Sequence, residues 1–293
     1  MFNIIKRVFL FAVVNILVVL TLSITAQLIM AYFGIELQGF GAMLFLYGMI
    51  GMGGSLISLL MSKFMAKSMM GVKIISPRDT DHNLQQLVQT VHELSRRAGL
   101  TKMPEVGIYE SPEVNAFATG PSRNNSLVAV STGLLHRMDQ DAVEGVLAHE
   151  VAHIANGDMV TMALLQGVVN TVVLVLSRII SSLLTSNMEE RARFAAQMAL
   201  YFGLQIVLGI LGSLVVNAFS RHREFRADAG SAKIGGKEKM IHALKSLASA
   251  HGPIDNEHKA FQSLKINGGG MMRWFSTHPP LQERIARLER ARI

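Results

Sequence analysis

The sequence predicts a predominantly α-helical membrane protein, with four apolar helices plus an α+β domain that carries a small sheet. Two observations predict it. Half of the 293 residues are apolar and only 17% are charged, against about 25% in an ordinary soluble domain, and mean hydropathy is +0.34. Four long apolar runs, at residues 8–33, 37–62, 159–188 and 194–220, contain one charged residue between them, Arg178. Each is long enough for the roughly 20 residues that cross a hydrocarbon core as a helix.

The first run follows Lys6 and Arg7, as a signal peptide would. It is too long for a usual h-region, lacks a small-x-small cleavage site and is followed at once by a second span, so it reads as retained. Positive charge gathers at Lys6 and Arg7, at Lys63, Lys67 and Lys73 after the second run, and at Arg221, Arg223 and Arg226 after the fourth. The connection between the first two runs carries only Glu36. By the positive-inside rule both termini and the large polar segments face the cytoplasm. Arg178 is the exception inside a span, where a central Arg costs about 2.5–3.5 kcal/mol. Either it snorkels from near the far end of its helix, or the third and fourth runs form a helical hairpin that packs against protein or only partly inserts.

The expected organisation is a membrane hairpin at 1–62, a second at 159–220, and a cytoplasmic domain assembled from 63–158 and 221–293. Residues 79–98 are apolar at Leu84, Leu87, Val88, Val91 and Leu94, at helical spacing. Short β-like runs follow at 106–109, 116–119 and 127–131, separated by Pro and Gly/Asn/Ser turns. A helix then begins near Asp139, whose carboxylate suits an N-cap. The second piece reads as helix with a glycine-rich loop at 268–270.

Composition also excludes chemistry. With no cysteine there is neither a disulfide nor a thiolate site, so a transition metal must rely on His and carboxylate ligands. The net charge of +7 comes without a basic run interleaved with aromatics. Nucleic acid is therefore not expected as a partner, and the excess belongs to segments flanking the bilayer. The 18 methionines lie largely in the apolar runs and read as packing.

The chemistry centres on His149-Glu150-Val151-Ala152-His153, inside the helix that begins near Asp139. Histidines at i and i+4 project from one face, so both imidazoles reach one ion. Glu150, beside the first, is placed as general base toward a water that zinc acidifies. A third histidine in the pattern His-x-x-Gly-x-x-His is excluded, because Asn156 and Met159 occupy those positions. The other pattern takes a Glu from a later helix, and Glu224-Phe225-Arg226-Ala227-Asp228 fits it. Glu224 would be the third ligand, and Asp228, one turn on, would accept a hydrogen bond from a ligand histidine and fix its tautomer. The plainer reading is an exposed helix of alternating charge. His222, the rival third ligand, points about 160° away from Glu224 on a helix. Asp158 reads as a helix cap or a hydrogen-bond acceptor behind the ligands, and His82, His92, His136, His242, His251 and His258 lack metal-like spacing. The domain is thus gluzincin-like, with one Zn2+ per chain.

Residues 148–162 (AHEVAHIANGDMVTM), 115–120 (NAFATG), 220–230 (SRHREFRADAG) and 277–280 (THPP) resemble the HtpX family of bacterial membrane proteases, related to the CAAX prenyl proteases. The resemblance covers essentially the whole chain. It implies a zinc metalloendopeptidase of the bacterial inner membrane, its site on the cytoplasmic side, acting in stress-linked quality control on damaged or unfolded membrane proteins. It also implies zinc roles for His149, His153 and Glu224, and the base role for Glu150. By the same resemblance, Asn115, Ala116 and Phe117 belong to an edge strand that pairs with substrate backbone, unless that strand is an ordinary interior one. His278 corresponds to a proposed oxyanion stabiliser, with Arg284 beside it as a substrate-facing group; a structural loop anchor is the alternative. A scaffold or chaperone with a structural zinc would need a closed four-ligand site. A narrow-specificity processing peptidase is the remaining alternative.

Overall fold

The computed structural model describes residues 40–76, 79–250 and 276–291. The first expected span and the glycine-rich loop at 268–270 lie outside the described residues. Contacts divide the chain into two compact units, one comprising Met1–Ser58 with Met162–Val216, the other Leu59–Thr161 with Asn217–Ile293.

Three helices among the described residues are long and apolar enough to cross a bilayer: α1 (Phe40–Met69), and two later ones at Asp158–Leu184 and Glu190–Gly235. They correspond to the second, third and fourth apolar runs. In the first unit these helices turn Phe45, Val168, Val172, Phe202, Ile206 and Val207 outward, an arrangement stable only where lipid covers it. Without a hydrophobic drive between helices, packing depends on close backbone approach at small residues. A Cβ at Gly167 would sit 2.6 Å from both Met52 Sδ and Ser55 Oγ.

The second unit holds the sheet. β1 (Lys73–Ile74), β2 (Glu105–Tyr109), β3 (Ala116–Ser122) and β4 (Asn125–Ser131) lie in the order β1-β2-β4-β3, with β2 and β4 parallel and the other pairs antiparallel. The expected β-runs are thus all strands, and β3 is an edge. α2 (His82–Arg97) starts from Asp81, whose carboxylate caps the Asn83 N–H. Its Leu87, Val91 and Leu94 pack with Val106, Val128 and Val130 of the sheet and with Leu147, Ala148, Val151 and Ile154 of α4 (Gln140–Asn156). Between them runs the short α3 (Thr132–Arg137). The later helices are α5 (Asp158–Leu184), α6 (Glu190–Gly235), α7 (Lys237–Ala250) and α8 (Leu281–Arg290).

α4 is the central element of this unit, buried along most of its length. Asp139 caps it as expected, accepting from the Ala142 N–H at 2.9 Å. On the sheet side, Ala116 and Ala118 of β3 join the same core as Leu147 and Val151, so an edge strand of small residues lies against the helix that carries the histidines. Phe117, pointing to the other sheet face, stacks on Tyr109 with ring centroids 5.6 Å apart.

Candidate metal centre

His149 and His153, one turn apart on α4, meet edge to face with centroids 4.6 Å apart. Glu224, fully buried on α6, closes the triangle. The Nε2 atoms of the two imidazoles are 3.1 Å apart, and Glu224 places Oε2 3.4 Å from His149 Nε2 and Oε1 3.3 Å from His153 Nε2. Tetrahedral zinc with bonds of about 2.0–2.1 Å sets its donors about 3.3–3.4 Å apart, so the three donors form one face of such a polyhedron.

The tautomers point the same way. His149 Nδ1 lies 3.0 Å from Asp228 Oδ1, and His153 Nδ1 lies 2.6 Å from Asp158 Oδ2. Carboxylates only accept, so both Nδ1 atoms donate, and both Nε2 atoms are left facing each other and an anionic carboxylate, where a proton or a metal cation is needed to hold them together. Converging acceptors repel unless a cation sits among them. The donor set therefore fits a metal ion. The local field agrees: burial pushes the His149 pKa down, but hydrogen bonds to Asp228 and then Glu224 outweigh it and lift it to about 9, with Arg284 opposing them. Surroundings that favour a proton so strongly favour a metal cation as well.

Local sequence explains how these groups converge. α4 ends at Gly157, whose φ of +70° is the left-handed conformation that glycine supplies at a helix C-terminus. The sharp turn lets Asp158, only five residues after His153, start α5 and aim back at its ring. A Cβ at Gly157 would also lie 3.3 Å from Arg123 Nε. Gly157→Ala is expected to destabilise the fold by about 1–2 kcal/mol, read as a lower thermal unfolding midpoint in detergent.

Each expected site residue has a definite place. Glu150 is half-buried beside His149, and among the described residues its carboxylate has no hydrogen bond or ion pair. Asp228 sits behind His149, with Oδ1 3.0 Å from its Nδ1. His222 is exposed and outside the donor cluster. His278 is exposed, with Nδ1 2.8 Å from Glu224 Oε2; Arg221, donating to the Ser276 carbonyl at 2.8 Å, ties down the segment before it. Asn115 is exposed just ahead of β3. Arg284 departs from the expectation of a substrate-facing group. It is 5% exposed and forks onto Asp228, Nε to Oδ2 at 2.8 Å and Nη2 to Oδ1 at 2.6 Å, with Nη2 3.4 Å from both His149 ring nitrogens. The apolar spacing of α8, which buries Leu288, turns this arginine inward rather than toward a cleft. Two groups escaped the sequence reading, the Arg226 guanidinium bonded to Asp158 and the Arg284–Asp228 fork. The glycine stop after the second histidine was the available signal for Asp158; arginine partners have none.

Residues 81–292 match peptidase family M48. The chain belongs to that family. It is 54% identical to the Protease HtpX homolog of Bacillus velezensis, over 97% of this chain and 99% of the relative. It is 48% identical to Protease HtpX of Tolumonas auensis, over 98% and 100%. Among solved structures it resembles S. mikatae Ste24p with a TM-score of 0.62 at 16% identity, covering 98% of this chain. The chain spans 65% of that protein's length, and at this identity the likeness concerns the fold. With apolar helices of membrane-spanning length and a His-His-Glu cluster, this M48 chain is a membrane metalloprotease.

Proposed function

We propose that the chain is a zinc endopeptidase holding one Zn2+ between His149, His153 and Glu224, and that it cuts damaged or unfolded membrane proteins at the cytoplasmic face of a bacterial inner membrane. The observation that carries the chemistry is the triangle of three donors at tetrahedral spacing. Among the described residues the cluster offers three protein donors, which leaves a position open for substrate or water and favours catalysis over a closed structural site.

When bound, zinc supplies a Lewis acid that polarises a scissile carbonyl and acidifies water. Glu150, without a hydrogen bond or ion pair among the described residues, takes the proton of the attacking water and passes it to the leaving amine nitrogen. Asp158 and Asp228 hold the imidazoles in the tautomer that turns Nε2 inward. His278, anchored through Nδ1 on Glu224, is positioned beside the donors to steady the developing oxyanion. The outer edge of β3 pairs with no other strand among the described residues, and with Asn115 just ahead of it and Ala116 and Phe117 at its start it suits pairing with an extended substrate, since main-chain hydrogen bonds accept varied sequences. The relatives' name, Protease HtpX, supports the proteolytic role, and the expected quality-control task follows the same likeness.

The test is hydrolysis of an unfolded protein by the purified chain in detergent. A chelator is expected to abolish cleavage and added zinc to restore it. Cleavage that persists in chelator, with metal analysis showing no zinc, would overturn the reading.

A further inference from the structure

We propose that Arg226 is a positioning residue for the metal centre, acting through Asp158 to hold the His153 imidazole in the orientation that presents Nε2 to the metal. This rests on the zinc site proposed above.

Asp158 is 1% exposed, so water does not substitute for its partners. Its two oxygens are committed in different directions. Oδ2 accepts from His153 Nδ1 at 2.6 Å, and Oδ1 accepts from the Arg226 guanidinium. Among the described residues its side chain bonds to nothing else. A dry carboxylate with a single partner turns about its terminal torsion, which is soft and broad. With a partner on each oxygen it is fixed, and so is the ring it holds.

The neighbouring imidazole shows the same arrangement built from other elements. His149 Nδ1 faces Asp228 of α6, and Asp228 is forked by Arg284 of α8. His153 faces Asp158 of α5, and Asp158 is held by Arg226 of α6. Each candidate ligand histidine is therefore backed by an aspartate, and each aspartate by an arginine. α6 thereby contributes a donor in Glu224, an orienting carboxylate in Asp228 and, between them, Arg226.

A plain surface staple is the competing account. The Arg226 side chain is 51% exposed, and exposed pairs contribute at most about 1 kcal/mol. A staple would alter stability and leave metal affinity alone. The two accounts separate in a zinc measurement.

The test uses the full-length chain in detergent, with zinc affinity read by competition against a chromophoric chelator. Loss of an outer partner of a metal ligand weakens metal affinity by about 10- to 100-fold, and that is the result expected for Arg226→Gln. Arg226→Lys, which keeps the charge without the fork, is expected to fall between Gln and wild type. It carries the test if the Gln variant does not fold. Arg137→Gln, an exposed charge loss in the same unit, is expected to leave affinity unchanged. Asp158→Asn should weaken zinc binding too, and adding Arg226→Gln to it should cost little more, because both act through one path. Wild-type affinity in both Arg226 variants, or full additivity with Asp158→Asn, overturns the inference. A wild-type chain without chelator-reversible zinc near one per chain overturns the zinc site itself, a distinguishable result.

Discussion

Glu150→Gln is expected to slow proteolysis by about 10²- to 10⁴-fold, the usual contribution of a positioned general base, while zinc stays bound near one per chain. The amide has the same shape as the carboxylate but does not take a proton from water. Glu150 lies one residue after His149 on α4, and its carboxylate is half-buried without a hydrogen bond or ion pair among the described residues. A carboxylate left free next to a metal centre is available for proton transfer, whereas Glu224 and Asp228 are both committed to partners. The measurement is turnover of an unfolded protein beside metal analysis of the same sample. Wild-type-like cleavage would sink the base assignment, and loss of zinc together with activity would make Glu150 part of the metal's support instead.

The elements that position the site were readable because each has a local cause. The i, i+4 spacing of His149 and His153 needs only one helix, and Asp139 announces where that helix starts. The Glu224–Asp228 pair needs only a second. Strands β2, β3 and β4 follow from short apolar runs between turns. What the sequence does not state is which long-range partners meet. Nothing local to Arg226 says that its guanidinium reaches Asp158, 68 residues earlier. Nothing local to Arg284 says that it reaches Asp228, 56 residues away. Those choices are made by how α6 and α8 pack in the peptidase unit. A charged residue near a catalytic motif looks like a substrate contact from sequence, and burial alone distinguishes a residue that braces the site from one that touches what enters it.

Arg284→Met tests that distinction directly and is expected to be strongly destabilising. Arg284 and Asp228 are 5% and 2% exposed and form a two-point fork. Burial acts against the guanidinium's charge, but its bonds to Asp228 outweigh that and raise its pKa, so the pair is ionic in the folded chain. Removing one member of a buried pair costs about 3–5 kcal/mol, because the other is left as an uncompensated charge. Here the orphan would be Asp228, the group that holds His149 Nδ1, so zinc affinity should fall along with the thermal midpoint. The double variant Arg284→Met/Asp228→Asn should lose less than the sum of the two single losses, since the pair is already broken by either one. A substrate-facing arginine predicts a different pattern: KM rises for peptide substrates while the unfolding midpoint and zinc affinity stay at wild-type values. Unfolding curves in detergent, zinc competition and steady-state kinetics on one preparation separate the two. A KM effect without loss of stability would return Arg284 to the substrate cleft and overturn its assignment as the brace behind His149.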